Sequence, residues 1–361
     1  MIACSHRAPQ IDHLFLNAKR MVPITRIPPT MSMTLTADDL AAEYGPRDLK
    51  GYGQQTPDPK WPNGAKIAIS IVLNYEEGSE VTGDGDGVTE MSGSERGPGM
   101  VPMRGARDVN MESLYEYGSR AGVWRVLRLF KEYNVHCTSY AVGQALERNP
   151  AVAIALEQDG HELASHGYRW VDRTSWTIEE EAGYARKAIN AIRSTSPSGT
   201  PPRGWYYGKA FTKNDVRSRS LIARVFKEEN IPLLYYSDYY GDDLPYWIPY
   251  PGGGKDQGLL IVPYALDTND FRNTRHDAFI SPNDFSDYLI AAFDELYREG
   301  LAGQAKMLSI GLHGRIIGRP GRIAGLRKFL EYAKEKGGVW FATREEIAKH
   351  WIETFPYEAK T

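Results

Sequence analysis

Residues 66 to 74 read KIAISIVLN, and both the odd- and the even-numbered positions from 67 to 73 are apolar apart from one serine. Successive side chains of a β-strand point to opposite faces, so the run predicts a strand that is buried on both faces. Such strands are typical of parallel sheets whose two faces are covered. The stretch therefore indicates an α/β fold built on a parallel sheet.

The rest of the chain alternates short runs rich in β-branched residues and tyrosine with longer amphipathic runs. Segment 119–134 carries apolar residues at helical spacing, and segment 150–160 begins with proline and ends with glycine, as many helices do. The pattern predicts about eight strands and seven helices in strict alternation, with no internal repeat. That order predicts a single, deformed (β/α) barrel.

Composition limits the classes of function. The 361 residues are 42% hydrophobic and 25% charged, which fits one large globular domain. A formal net charge of -3 provides no field to hold a polyanion, so nucleic acid is not an expected partner. No segment approaches the ~18 uninterrupted apolar residues of a membrane span. Two cysteines without a disulfide pattern, Cys4 and Cys137, indicate a reducing compartment.

Three segments interrupt the alternation. Residues 1–40 have neither the apolar core nor the cleavage site of a signal peptide, and we expect a disordered or flexible leader before a single catalytic domain at 41–361. Residues 78–110 are rich in glycine and charge, and both a lid over the active face and a disordered surface insertion stay open. Residues 239–258 predict a second long loop that helps to wall a pocket.

Polar and aromatic residues follow the apolar runs with a regular phase that scattered surface charge would not keep. The carboxyl ends of barrel strands meet at one face, so these residues predict a binding or catalytic site there. They are Asn74, Glu76 and Glu77 after the first run; His166, Tyr168 and Trp170 after the third; Trp205 and Tyr207 in the fourth; Asp238, Asp242 and Asp243 after the fifth; Asp267, Asn269 and Asp270 after the sixth; and His313 and Arg315 after the seventh.

Some of these residues have a specific chemical interpretation. Glu76 and Glu77 are adjacent carboxylates at the end of a buried strand, and their proximity should raise the pKa of one and provide a base near neutral pH. His166 and His313 together indicate acid–base chemistry, although either one alone is as often a hydrogen-bonded core residue. His161, at the start of its strand, is predicted to be structural.

Other kinds of site find little support. No serine lies in a G-x-S-x-G elbow and no phosphate-binding or dinucleotide-binding glycine motif follows a strand, so no cofactor is expected. A zinc site needs three nitrogen, oxygen or sulfur ligands and one open position. Glu77 and His166 could supply two ligands, but a third is not evident, and no metal is assigned.

Five stretches carry a resemblance to a known family: NYEEG (74–78), SHGYRW (165–170), GWYYG (204–208), YYSDYYGDDLPYW (235–247) and LSIGLHGR (308–315). In this order they resemble the polysaccharide deacetylase superfamily, whose members are deformed (β/α) barrels that hydrolyse N-acetyl groups. Those enzymes carry an aspartate pair, two metal-binding histidines four residues apart and a late histidine that acts as general acid. The resemblance places Glu76 and Glu77 at the aspartate pair, His166 and Trp170 at the two histidines, and His313 at the late histidine.

Longer stretches, among them YGPRDLKGYG (44–53), MESLYEYGSRAGVWR (111–125) and KMLSIGLHGRIIGRP (306–320), are closely similar to the metal-independent allantoinases of this superfamily. The resemblance implies hydrolysis of the hydantoin ring of allantoin to allantoate in purine degradation, without a required metal. It also implies a cytoplasmic homo-oligomer, a dimer or a tetramer. Related cyclic-imide hydrolases share these stretches, so more than one ring stays a candidate.

On this interpretation Glu76 or Glu77 activates the attacking water, and His313 protonates the leaving nitrogen or stabilises the oxyanion. Other residues are predicted to bind the small substrate or its oxyanion: His166, Tyr168, Trp170, Trp205, Asp238, Asp267, Asn269 and Arg315. Two alternatives stay open, a metal-dependent deacetylase of chitin or peptidoglycan and a catalytically inactive binding protein.

Overall fold

The computed structural model of the chain describes residues 48–82, 86–87, 105–173, 175–208, 218–271, 279 and 281–358. The predicted leader and most of segment 78–110 lie outside these residues. Across the described ranges, no helix is long and apolar enough to cross a membrane.

Nine strands of the described chain form one sheet, in which every neighbouring pair but one is parallel. The strands are β1 (Ile67–Tyr75), β2 (Thr138–Ala141), β3 (Glu162–Ser165), β4 (Gly204–Trp205), β5 (Tyr235–Tyr236), β6 (Tyr246–Pro249), β7 (Gly258–Ile261), β8 (Lys306–His313) and β9 (Val339–Phe341). Their order is β6-β7-β5-β4-β3-β2-β1-β8, and β9 pairs with β1. Parallel neighbours need long crossovers, which the intervening helices supply.

The helices pack against the sheet between successive strands. They are α1 (Val109–Tyr117), α2 (Val123–Tyr133), α3 (Gly143–Arg148), α4 (Pro150–Gln158), α5 (Ile178–Thr195), α6 (Ser218–Glu228), α7 (Pro282–Leu301), α8 (Gly314–Ile317), α9 (Pro320–Lys336) and α10 (Arg344–Thr354). A π-helical turn, Gly118–Gly122, joins α1 to α2, and a 3-10 turn, Pro62–Gly64, precedes β1. Capping boxes begin α5, α7 and α10, where a Thr or Ser side chain accepts a backbone N–H that the helix leaves unpaired.

Strand β1 is central to the fold, with β2, β8 and β9 all paired to it. Its odd-numbered residues, such as Ile69, pack among helical side chains such as Phe285 and Phe329. Its even-numbered residues, such as Val72, pack with Tyr140 and other tyrosines inside the curl of the sheet. Both faces of β1 are therefore buried, as its sequence predicts, and the deformed (β/α) barrel is confirmed.

The prediction of a long loop at residues 239–258 is wrong in its second half. Tyr246–Pro249 form β6, which pairs antiparallel with β7 as a hairpin, with Pro249 opposite Gly258. The aromatic and β-branched residues of β6 favour extended backbone, and the glycines at 252–254 let the chain reverse.

The chain after β7 crosses to the other end of the strand order and lies beside β8. Asn269 forms a parallel bridge with Gly311 of β8, and the Gly311 N–H donates to the Thr268 carbonyl at 3.3 Å. This crossing delivers residues 268–271 to the carboxyl end of β8, next to His313.

Glu162, at the start of β3, is a buried carboxylate at the opposite end of the barrel. Its Oε1 accepts the Tyr235 hydroxyl at 2.6 Å, and its Oε2 accepts the Thr138 hydroxyl at 2.7 Å and the Glu345 N–H at 2.9 Å. Burial raises the pKa of Glu162 to about 7. The carboxyl group thus links β2, β3 and β5 to the start of α10, and its burial disfavours the ionised form.

Glu162→Gln should remove a pH-dependent loss of stability. The pKa of Glu162 in the folded protein, about 7, lies above the ordinary value of 4.5. The contribution of protonated Glu162 to the stability of the fold is therefore complete below pH 4.5 and is lost as the pH rises through 7. Over that interval the wild type should lose about 3 kcal/mol of unfolding free energy relative to the variant. Urea unfolding of both proteins between pH 5 and pH 8 measures this, and parallel curves would contradict it.

Candidate active site

The two adjacent glutamates that follow β1 point to different partners. Glu76 Oε1 lies 3.0 Å from His166 Nε2 and 3.6 Å from His313 Nε2, and its Oε2 lies 2.7 Å from Arg315 Nη1. Glu77 Oε1 instead accepts the backbone N–H of Arg315 at 3.0 Å, and its Oε2 accepts the Glu76 N–H at 3.2 Å. Glu76 is therefore the carboxylate that faces both histidines.

Their protonation also differs. Burial alone would raise the pKa of Glu76, but the charges of His313 and Arg315 hold it well below its ordinary value. Burial raises the pKa of Glu77, which Arg315 offsets in part and the charge of Glu76 increases. One pKa of the pair is raised, as the sequence predicts, but it belongs to the glutamate that faces backbone amides.

His313 is held by a buried aspartate. Its Nδ1 lies 2.6 Å from Asp270 Oδ1, while Asp270 Oδ2 accepts the backbone N–H groups of His313 at 2.8 Å and Ile317 at 3.1 Å. Burial lowers the pKa of His313, but the charges of Glu76 and Asp270 outweigh it and raise the pKa to about 9. The ring is therefore an imidazolium at neutral pH and carries a proton on Nε2, toward Glu76.

The orientation of His166 follows from its two hydrogen bonds. Its Nδ1 lies 2.9 Å from the carbonyl oxygen of Tyr206, which can only accept, so Nδ1 carries a hydrogen. Its Nε2 lies 3.0 Å from Glu76 Oε1. His166 thus holds one oxygen of Glu76 in place while Arg315 holds the other.

The Arg315 guanidinium lies among three aromatic rings. Its central carbon is 4.6 Å from the ring centre of Tyr115, 5.4 Å from Trp170 and 5.5 Å from Phe271. The Trp170 ring also meets His166 edge-on at 6.4 Å. Ring faces stabilise a cation, so the guanidinium is a fixed positive charge against Glu76.

These residues do not fit a metal centre of the deacetylase kind. The position of the second histidine is Trp170, which has no basic nitrogen, and the carboxylate oxygens of Glu76 already face two histidines and a guanidinium. Among the described residues, no group of three or more His, Cys, Asp or Glu side chains is placed to hold a metal ion.

Three predicted substrate-binding residues lie away from this cluster. Trp205 is fully buried on the other face of β4 and packs edge-on against Phe226 of α6. The Tyr168 hydroxyl donates to Glu147, and Asp267 accepts the Tyr288 hydroxyl at 3.0 Å on the exposed side. A common contact with one small substrate is therefore not expected for these three.

Asp238 and Asn269 lie closer but have structural contacts of their own. Asp238 accepts the N–H groups of Tyr207 at 2.7 Å and Gly208 at 2.8 Å, and a Cβ on Gly208 would lie 2.9 Å from the His166 ring. Asp238 thus holds the turn after β4 against His166. Asn269 contacts the Tyr264 hydroxyl at 3.0 Å.

Asp270 is the main residue of this cluster that the sequence does not single out. It belongs to the polar cluster after the sixth run, but nothing in the letters DTND distinguishes it from Asp267 and Asn269. Only the crossing of residues 268–271 onto β8 places Asp270 against His313. The predicted structural role of His161 agrees with its position, where Nδ1 accepts the Cys137 N–H at 3.0 Å.

Glycines form the wall behind Glu77 because no side chain fits there. A Cβ on Gly118 of the π-helical turn would lie 2.1 Å from Glu77 Oε1, and one on Gly122 would lie 2.0 Å from the Gly314 carbonyl oxygen. The turn thus packs backbone to backbone against α8, which carries Arg315.

Gly118→Ala should therefore cost both stability and activity. The methyl group must displace the Glu77 carboxylate, and such overpacking costs about 1–3 kcal/mol. The free energy of unfolding measured in denaturant and kcat should both fall. Gly183→Ala in α5 is the matched control: its Cβ would meet nothing within 4 Å, so stability should rise or stay unchanged. Equal behaviour of the two variants would contradict the packing argument.

Several known proteins are similar to this chain over much of its length. Residues 110–221 match the polysaccharide deacetylase family. The crystal structure of PuuE allantoinase is 47% identical, with a TM-score of 0.78 over 87% of this chain and 99% of that chain. A Schizosaccharomyces pombe protein, provisionally named a polysaccharide deacetylase, is 44% identical over 324 residues, 88% of this chain and 100% of its own. A Helicobacter pylori peptidoglycan deacetylase is 23% identical over 261 residues, 66% of this chain and 87% of its own.

Proposed function

This chain belongs to the polysaccharide deacetylase family, and from that premise we propose that it opens the hydantoin ring of allantoin to give allantoate without a metal ion. The observation that carries the proposal is the fixed guanidinium of Arg315 against Glu76, in a cluster whose second histidine position is Trp170. The 47% identity with PuuE allantoinase over nearly all of that chain supports the same substrate.

Glu76 is the proposed general base. Its low pKa keeps it ionised at neutral pH, and His166 and Arg315 hold its two oxygens. A water beside Oε1 would attack the ring carbonyl carbon while its proton passes to the carboxylate. The new C–O bond places negative charge on the former carbonyl oxygen.

His313 is the proposed general acid. When the ring C–N bond breaks, the departing nitrogen needs a proton. His313 Nε2 lies 3.6 Å from Glu76 Oε1, so the acid and the base can reach the same substrate. Asp270 stabilises the imidazolium before transfer and fixes the hydrogen on Nδ1. Glu76 can then pass the proton that it took from water to His313, which restores both groups for the next cycle.

The proposal is tested by adding allantoin, hydantoin, succinimide and a chitin oligomer separately to protein treated with excess chelator. We expect allantoin to be consumed with allantoate as product, at a rate that chelator does not reduce. Acetate release from the chitin oligomer that needs added zinc would overturn the proposal. Turnover of succinimide alone would assign the chain to the cyclic-imide hydrolases, and binding of allantoin without turnover would indicate an inactive binding protein.

A further inference from the structure

The buried Tyr264 hydroxyl accepts two hydrogen bonds. Asn74 Nδ2 donates to it at 3.1 Å and Asn269 Nδ2 at 3.0 Å. The orientation of both amides is fixed by a second contact, because Asn74 Nδ2 also donates to the Leu312 carbonyl and Asn269 Oδ1 accepts the Phe271 N–H. The phenol oxygen is therefore an acceptor in both bonds.

Its own hydrogen then has no acceptor among the described residues. Tyr264 is 3% exposed, and burial raises the pKa of its hydroxyl, so the phenol stays protonated. A buried donor left unpaired costs about 1–3 kcal/mol, and a ligand oxygen that accepts its hydrogen would remove that cost.

The hydroxyl lies beside the ends of β1 and β8, the strands that lead to Glu76 and His313. Asn74, which it contacts, pairs in register with His313 across β1 and β8 and precedes Glu76 by two residues. On the other side, a Cβ on Gly311 would lie 2.1 Å from the Tyr264 hydroxyl, so β8 leaves space there. The hydroxyl thus lies at the level of β8 just below His313.

We propose that the Tyr264 hydroxyl donates its hydrogen bond to a ring carbonyl oxygen of the substrate, as a binding residue for the cyclic amide and its oxyanion. The inference rests on the proposed function and deepens it, because it names the donor that a site without a metal ion needs for the developing negative charge. Asn74 and Asn269 act through Tyr264 by keeping both of its acceptor positions occupied.

The first test compares Tyr264→Phe with Tyr207→Phe on allantoin. Tyr207 is a matched control: its hydroxyl is also buried and has no hydrogen-bond partner in the part of the chain that the structure describes, but its ring packs edge-on against Trp205, away from His166. We expect Tyr264→Phe to lower kcat/KM about 100-fold, as loss of an oxyanion donor does, and Tyr207→Phe to change it less than threefold. Equal kcat/KM for the two variants would overturn the inference.

The second test separates a direct contact from a structural effect. Thiohydantoins carry sulfur, a weak acceptor, at one or the other ring carbonyl. In the wild type, sulfur at the contacted position should lower kcat/KM, and in Tyr264→Phe the oxygen-to-sulfur ratio there should fall about tenfold, whereas a structural defect would slow all substrates alike. Should Tyr264→Phe not fold, the wild type alone decides, because no sulfur effect at either position would overturn the contact. If no cyclic amide is hydrolysed at all, the proposed function and this inference both fail; if turnover persists with no effect of Tyr264→Phe, only this inference does.

Discussion

Glu76→Gln should lower kcat by about 1000-fold or more while the protein stays folded, because the amide cannot take a proton from water. The side chain keeps its shape, so its oxygen can still face Arg315 at the position of Oε2, 2.7 Å from Nη1 in the wild type. KM should change little, since the lost interaction belongs to the transition state. The measurement is steady-state hydrolysis of allantoin at neutral pH, with the melting temperature as a check on folding.

Two other glutamates serve as controls for that change. Glu162→Gln makes the same substitution in another fully buried carboxylate, and kcat should be unaffected because Glu162 lies at the opposite end of β3 from His166. Glu77→Gln should reduce stability more than activity, since Glu77 accepts two backbone N–H groups behind the site. If Glu77→Gln removed turnover and Glu76→Gln did not, the assignment of the base would be wrong.

The fold could be predicted because its evidence is periodic and local. Apolar residues on both parities of β1, followed by alternating strands and amphipathic segments, allow few arrangements other than a helix-covered parallel sheet. Strand β6 escapes prediction because its residues are half-exposed and largely aromatic, which is equally typical of a pocket-lining loop. Pairing partners are not visible in such a short strand.

The site could be predicted only as a set of strand ends. Glu76, His166, His313 and Arg315 were placed together correctly, because parallel strands bring their carboxyl ends to one edge. The side on which Trp205 lies cannot be predicted, because β4 is only two residues long and the next residue, Tyr206, is also aromatic. Tyr206 stacks on the His166 ring while Trp205 faces α6, so a choice of one residue decided which aromatic lies near the site.

Asp270→Asn should lower kcat about 1000-fold and shift the alkaline limit of activity, which His313 sets, to lower pH. Asp270 Oδ2 accepts two backbone N–H groups, and only the oxygen of an asparagine can take that place. The new NH₂ group must then face His313 Nδ1, which it can contact only if that nitrogen carries no hydrogen. His313 is forced into the neutral tautomer with its hydrogen on Nε2, which is a poor acid.

The pH profile reports this change directly. In the wild type, Glu76 is ionised throughout the neutral range and His313 keeps its proton up to about pH 9, so kcat/KM should stay level and then fall above about pH 9. Loss of the Asp270 charge lowers the pKa of His313, so any residual activity should fall at lower pH than in the wild type. Asp238→Asn is the matched control: its buried carboxylate also accepts two backbone N–H groups but holds the turn beside His166, so the alkaline limit should not move. An unchanged alkaline limit in Asp270→Asn would show that another group supplies the proton to the leaving nitrogen.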